Sequence, residues 1–456
     1  MNYTQIPEAE RLEMLEAIGV ASIDELFSVI PDEIRFRGKL DLPPGASELE
    51  LQRELAARSA DNLSAQNAAC FLGGGAYDHF IPAFIDQLIL RGEFLTAYTP
   101  YQAEASQGAL QAFFEFQTQV ARLTGLEISN ASLYEGATAA AEGVLLALNH
   151  TAKGRVMVAG TVHPDYRQVI ATYTDDLPCE VVEIEAGADG RISADAVAAA
   201  ADGQTACLVV QSPNVYGIIE DWQGLFGAVK AAGGSGKAPL GIAVFNPISL
   251  GLLKSPGACG ADVAAGEGQP LGTPLQLGGP YLGLFAAKAE FLRRMPGRLV
   301  GQTVDASGRT AYCLTLQTRE QHIRGAKATS NICTNQGLFA LRATMYMSAM
   351  GSAGLGEVAR QCWHKAHYLA NSIAAIDGYE LRYPGSEFFH EFVVTCPRPA
   401  REIVEACAKE RILAGIPLDH DRIGKIGAAN ELLIAVTEKR TKEELDRVVG
   451  ALRQHA

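Results

Sequence analysis

Arg155-Val-Met-Val-Ala159, Cys179-Glu-Val-Val-Glu-Ile184, Ala206-Cys-Leu-Val-Val-Gln211 and Gly241-Ile-Ala-Val-Phe245 recur through the middle of the chain. Each is short, apolar and rich in β-branched residues, as a buried strand requires. Helical stretches near Tyr166–Thr172, Ser193–Ala201 and Leu225–Ala232 separate them. Strands alternating with helices predict βαβ units, a mostly parallel sheet and right-handed crossovers. Val263–Ala264 and Tyr281–Ala286 are candidates for further strands.

Outward from this centre, the first 60 residues read as a helical arm. Ser22 with Glu25 and Ser47 with Glu50 have the spacing of capping boxes, and Leu51 and Leu55 share a face. The spacing of Leu110, Phe114, Val120 and Leu123 predicts an amphipathic helix over 106–125, stopped by Gly125. An alanine-rich helix follows over 136–149. Beyond residue 330 the pattern changes to a long helix from Met345 to Ile376, strands at Leu381–Tyr383, Phe389–Thr395 and Leu432–Val436, and a Thr441-x-x-Glu444 capping box opening a last helix. The expected organisation is an arm over 1–60, a large α/β domain over 61–330 and a smaller α+β domain over 331–456.

The 456 residues carry a net charge of −14, with 48% hydrophobic and 20% charged residues. That balance fits a globular enzyme and leaves no basic surplus to neutralise phosphates, so neither nucleic acid nor an anionic membrane is expected as a partner. The charged N-terminus lacks the layout of a signal peptide, and no apolar run reaches about 18 residues. The nine cysteines, among them Cys70, Cys179, Cys207, Cys333 and Cys362, form no Cys-x-x-Cys pair. Reduced thiols in a cytoplasmic protein are expected, with no metal site.

Five segments could carry chemistry. Phe71-Leu-Gly-Gly-Gly-Ala-Tyr-Asp-His79 is either a flexible turn or a place of close backbone approach. Tyr98-Thr-Pro-Tyr-Gln-Ala-Glu-Ala-Ser-Gln-Gly108 could line a small polar site or cap a helix facing solvent. Tyr134-Glu-Gly-Ala-Thr-Ala-Ala-Ala141 opens a helix, where free amides and the dipole favour an anion, but Glu135 already fills that place. Gly266-Glu-Gly-Gln-Pro-Leu-Gly-Thr-Pro-Leu-Gln-Leu-Gly-Gly-Pro280 is a loop without lysine, histidine or cysteine, so it holds neither a Schiff base nor those nucleophiles. Arg324-Gly-Ala-Lys-Ala-Thr-Ser-Asn-Ile-Cys-Thr-Asn335 could bind an anionic group or serve as a helix N-cap through Thr329 or Ser330.

Together with Gln117-Thr, Thr124-Gly-Leu, Asn130-Ala-Ser-Leu, Gly136-Ala-Thr-Ala and Gln269-Pro-Leu-Gly, these blocks resemble the glycine cleavage P-protein family along essentially the whole chain. More narrowly they resemble its N-terminal half, which some bacteria encode as a separate alpha subunit. The resemblance implies a fold-type I PLP-dependent transferase-like α/β fold. It also implies a reaction in which glycine loses CO2 and its aminomethyl group passes to the lipoyl arm of H-protein, with PLP as electron sink. In that alignment the Schiff-base lysine position holds Gln269, and the pyridine-nitrogen aspartate falls at Asn246, where alpha subunits of the family often keep aspartate. Glu135 and Gly136 stand at the phosphate-binding helix. The chain's own PLP site is thus expected to be degenerate, with PLP bound by a beta subunit in an alpha-2 beta-2 assembly. Residues Tyr98, Thr99, Tyr101, Gln102, Glu104, Ser106 and Gln107, with Thr329, Ser330 and Asn331, are implied to reach the partner's site. Tyr77 and His79 are implied to line the approach of the lipoyl arm. Two rivals remain at this point: a self-sufficient PLP enzyme using Lys254 or Lys327, and a scaffold without catalytic involvement.

Overall fold

The computed structural model describes residues 6–456 except 233, 235, 277 and 329. The chain divides into two compact units, residues 1–62 and 63–456. In the first, α1 (Glu8–Ile18) is followed by α2 (Glu48–Ala60), which opens on a complete capping box between Ser47 and Glu50. The box expected at Ser22 and Glu25 differs. Ser22 Oγ accepts the Glu25 amide, but the Glu25 carboxylate turns to the amide of Ala21, and the pair caps a 3-10 turn over Ile23–Phe27.

The second unit opens with β1 (Ala69–Cys70), α3 (Ala83–Ile89) and α4 (Gly92–Leu95). Next comes α5 (Gln107–Thr124), ended by Gly125 at φ 68°. Its buried face carries Leu110, Phe113, Phe116 and Val120, while Phe114 and Leu123 stay half-buried at its border. After β2 (Ile128–Ser129) and α6 (Gly136–Thr151), the predicted alternation is realised as β3 (Arg155–Ala159), α7 (Pro164–Thr174), β4 (Glu180–Ile184), α8 (Ala194–Ala200), β5 (Thr205–Ser212), α9 (Trp222–Ala232) and β6 (Leu240–Phe245). The strands β7 (Val263–Glu267) and β8 (Gly283–Ala287) complete a seven-stranded sheet in the order β2-β8-β7-β6-β5-β3-β4. Only β8 runs against its neighbours. Every residue of β6 is buried, because a parallel sheet is covered on both faces. The small residues of α6 allow it to lie close on the sheet: a Cβ on Gly143 would stand 3.3 Å from both Ile242 and Val263.

A hairpin that the sequence pattern did not announce, β9 (Leu299–Val304) with β10 (Thr310–Thr315), follows. Beyond the short α10 (Gln321–Arg324) comes α11 (Gly337–Ala374), which begins earlier than Met345 and is broken at Gly351, where φ is 58° and ψ −175°. Its N-cap position is Gln336 without a side-chain bond, so Ser330 does not cap it, and Thr329 lies outside the described residues. The chain closes with β11 (Glu380–Leu381), β12 (Glu391–Thr395), α12 (Ala400–Lys409), β13 (Ile412–Leu413), β14 (Ile416–Pro417), β15 (Glu431–Ala435) and α13 (Lys442–Gln454), the last opened by the Thr441–Glu444 box. Four of these strands form an antiparallel sheet in the order β11-β12-β15-β14. β1 pairs with β13, and the Ala435 amide donates to the Phe71 carbonyl, so the glycine-rich segment lies against this sheet. Close approach is the reason for its glycines. A Cβ on Gly73 would meet that of Ala435 at 2.6 Å, and Gly74 and Gly75 have positive φ. Among the described residues no helix is long and apolar enough to cross a membrane.

The two sheets meet at Gly217, where φ is 83° and an added Cβ would lie 1.9 Å from the Glu391 carbonyl oxygen. Gly217→Ala is therefore expected to destabilise the protein by more than about 1 kcal/mol, read as a lowered thermal unfolding midpoint. An unchanged midpoint would show that this junction yields.

Candidate functional site

The ends of β6 and β7 and the start of α6 converge as the topology of an open α/β sheet dictates, outside the carboxyl ends of the strands. At the start of α6, Glu135 is the N-cap and its Oε1 accepts the Thr138 amide at 2.7 Å. Glu267, at the end of β7, accepts the Gly136 amide at 3.1 Å through Oε2, and the Gln269 and Leu282 amides at 2.9 Å each through Oε1. Two carboxylates thus occupy the amides that an incoming phosphate would need. The Tyr166 hydroxyl closes the same end; its oxygen would stand 1.9 Å from a Cβ on Gly136. Burial pushes the Glu267 carboxyl up to about 7 against the hydrogen bonds that favour its charge, and the neighbouring Glu135 adds to the rise.

Gln269, two residues on, is buried and satisfied. Its Nε2 donates to the carbonyls of Tyr77 (3.0 Å) and Thr273 (2.7 Å), and its Oε1 accepts the Tyr77 amide at 2.9 Å. A primary amide forms no Schiff base, and here it staples the glycine-rich segment to the β7–β8 loop. Asn246 follows β6. Its Oδ1 accepts the Ile248 amide at 2.9 Å, and its Nδ2 lies 3.4 Å from His390 Nε2. Burial drives His390 down to about 3, so the imidazole is neutral. Asn246 supplies no charge for a pyridinium, and Lys254 and Lys327 are both exposed. The residues present do not fit PLP.

Tyr77 and His79 are buried inside this region rather than placed on an open approach. The Tyr77 hydroxyl donates to Glu391 Oε2 at 2.6 Å, and the Gly74 amide donates to Glu391 Oε1 at 2.7 Å. His79 Nδ1 lies 2.7 Å from Glu438 Oε2, and the Phe80 amide donates to the other oxygen. Burial works against the charge of Glu438, but His79 and the Phe80 amide hold its carboxyl down at about 2. Among the described residues Glu391 has no cation paired with it, and burial pushes it up to about 7.

The Tyr98–Gly108 block divides between two faces. Tyr98, Thr99 and Tyr101 line a cleft of about 470 Å³ with Arg298, Thr334 and Asn335. The Tyr101 hydroxyl bonds to Thr334 Oγ1 at 3.1 Å and donates to Asn335 Oδ1, and the Arg298 guanidinium stacks 3.8 Å from its ring centroid. Arg298 also donates to the Cys333 carbonyl, and Asn335 Nδ2 donates to that of Ala131. Glu104 and Gln107 face a separate hollow beside β10. Gln107 is used there, bonded to both the amide and the carbonyl of Tyr312 at 2.8 Å. The Gln102 carbonyl accepts the Ser106 amide, and Ser106 makes no side-chain cap. Ser330 Oγ accepts the Ile332 amide in a local turn, and Asn331 is exposed.

The sequence did not mark Glu267, His390, Glu391 or Arg298. Glu267 stands two residues before Gln269, at the end of β7 in a glycine- and proline-rich stretch whose pattern predicts a loop. His390 and Glu391 sit where an apolar strand pattern conceals them.

Two outcomes follow from this geometry. Gln269→Lys is expected to leave the chain without a cofactor absorbance band when PLP is added, since Glu135, Glu267 and Tyr166 still fill the phosphate end. It also leaves the Tyr77 amide without its acceptor, a loss of about 1–3 kcal/mol. A yellow, borohydride-fixable adduct in this variant would contradict the plugged-site reading. Glu391 has a folded-state pKa above its unfolded value, so the native state binds the extra proton and stability falls as pH rises from about 4.5 to about 7. Glu391→Gln is therefore expected to raise the unfolding midpoint at pH 8 by about 3–6 °C and to leave it nearly unchanged at pH 4.5.

Comparison with known proteins gives the family. The sequence profile described as glycine cleavage system P-protein matches residues 1–452. A Thermomicrobium roseum protein named probable glycine dehydrogenase (decarboxylating) subunit 1 is 50% identical over 446 residues, covering 98% of this chain and 97% of its own length. A Chlorobium chlorochromatii protein of the same name is 48% identical over 453 residues, covering 99% of each. The crystal structure of a glycine decarboxylase (P-protein) of the glycine cleavage system, in inhibitor-bound form, superimposes with a TM-score of 0.89 at 42% identity, over 100% of both chains. C-DES, solved with glycine linked to its PLP cofactor, has a TM-score of 0.62 at 14% identity over 85% of this chain and 96% of its own, which shows the shared fold-type I architecture alone. The chain belongs to the glycine cleavage system P-protein family.

Proposed function

We propose that this chain is the alpha subunit of a two-subunit glycine decarboxylase. With a PLP-bearing beta subunit it decarboxylates glycine, releases CO2 and passes the aminomethyl group to the lipoyl arm of H-protein. The observation that carries this reading is Gln269, an amide fully bonded where the reaction needs an amine. A family member without its own Schiff base acts through a partner that has one, and the relatives named subunit 1 fit that division. An alpha-2 beta-2 assembly is our reading of its stoichiometry. The nine thiols, read as reduced, favour the cytoplasm.

In this reading the outward cleft is the chain's contribution to the partner's site. Tyr98 and Tyr101 shape its substrate side. Tyr101 is held by Thr334, Asn335 and Arg298, so its ring is fixed before any partner arrives. Glu104 orients polar groups from the neighbouring hollow, and Thr99 lines the cleft itself. Gln102, Ser106, Ser330 and Asn331, with Thr329 outside the described residues, are assigned to the partner's site by the family resemblance alone. Gln107 serves by fixing the start of α5 on β10. Tyr77 and His79, buried in this chain, act on the partner only through the backbone they position.

Expressed alone, the chain is expected to be colourless and inactive in glycine–bicarbonate exchange with lipoylated H-protein, and to gain activity on mixing with a beta subunit. A yellow, active lone chain would mean that a dismissed lysine carries the cofactor. In the reconstituted pair, Tyr101→Phe frees the ring from two partners and is expected to lower exchange roughly tenfold. Full turnover in both Tyr101→Phe and Glu104→Gln would remove these residues from the partner's site.

A further inference from the structure

A hollow of about 570 Å³ lies far in sequence from the cleft just described, lined by residues 65–69, Arg411, Lys439, Arg440, Thr441, Glu444 and Arg447. Four basic side chains and one acidic one meet there, in a chain whose net charge is −14. Their charges are unequally spent. Lys439 and Arg440 pair with Asp78 at 2.7 and 2.8 Å, and Arg440 also reaches Glu444 at 3.3 Å. Arg411 and Arg447 have no carboxylate within ion-pair distance among the described residues. Arg411 Nε donates to the Asn67 carbonyl at 2.8 Å, and Arg447 Nη2 donates to the carbonyls of Glu410 and Arg411. These bonds fix both guanidinium groups in the lining of the hollow without cancelling their charge.

Two further features point to a ligand. Arg440, which lines the hollow, is 2% exposed, and its Nε is a buried donor without a partner among the described residues. Arg411 holds a positive φ of 58°, a strained conformation for a side chain of its size, maintained while its carbonyl takes the Ala69 amide and Arg447. Thr441, at the N-terminus of the 13-residue α13, faces the same space, although its own amide is already bound to Glu444. The site therefore rests on the arginines rather than on the helix dipole.

We propose that this hollow binds a small phosphate-bearing anion, with Arg411 and Arg447 as its forked donors and Arg440 adding positive charge to the lining. A guanidinium presents paired N–H groups that match phosphate oxygens, and two unneutralised ones make a dianion the best-fitting charge. Binding here is independent of the proposed glycine reaction.

Isothermal titration of the full-length chain with inorganic phosphate, at ionic strength held constant with chloride, tests it. The expected result is saturable one-site binding that Arg447→Gln and Arg411→Gln each weaken at least tenfold, while Arg447→Lys keeps part of it. Circular dichroism of each variant separates lost binding from lost fold, and Arg447, on a helix surface, is the variant expected to stay folded. Absence of saturable binding in the wild-type chain, or equal affinity in the folded Arg447→Gln variant, would overturn the assignment.

Discussion

Three hydrogen bonds of one side-chain amide hold the centre of this molecule. Gln269 bonds to both backbone groups of Tyr77 and to the carbonyl of Thr273. It thereby fixes the backbone of a segment whose three consecutive glycines, Gly73 to Gly75, offer no side chains to hold it. Tyr77, once placed, carries its hydroxyl to Glu391 in the C-terminal sheet. A loop of the large sheet, the glycine segment and the smaller sheet are thus joined through one residue. An amine at this position would supply donors but no acceptor for the Tyr77 amide, so the amide serves the fold in a way that a lysine does not.

Electrostatics tells the same story from the other end of the pocket. The start of α6 carries partial positive charge, and in this chain Glu135 and Glu267 satisfy it from within. Burial raises Glu267 and Glu391 to about 7, and His390 is kept neutral. A region built to tolerate a charged cofactor has become one whose groups lie near neutrality, with their hydrogen bonds made among themselves. In the proposed function the chain's contribution falls instead to the cleft at Tyr98 and Tyr101, where an arginine, two hydroxyls and an amide are held in fixed positions.

Much of the architecture was legible in the sequence, for a physical reason. Strands buried on both faces must be short apolar runs, so β3 to β6 declared themselves with nearly correct limits. The β9–β10 hairpin did not, since its exposed Gln302, Thr303 and Thr310 carry no alternation strong enough to read. The break at Gly351 was invisible within a helical pattern, and helix α11 began at residues that pattern had left unassigned. At the site, Glu135 was legible as a carboxylate at a helix start, whereas Gln269 and Asn246 were located through resemblance to a family, because no local rule marks an amide as a replaced amine. The division of the Tyr98–Gly108 block between two faces of α5 depends on where β10 and residues 333–335 arrive, which spacing does not encode.

The Tyr101 anchor has a consequence for the order of events during synthesis. Its hydroxyl is held by Asn335, which lies 234 residues downstream. Until the ribosome has delivered residue 335 and released it from the exit tunnel, the cleft does not exist, although the phenol that lines it was made long before. A partner that recognised this cleft would meet it only after residue 335 of the 456 has emerged, so the surface matures late in synthesis although its tyrosines are made early.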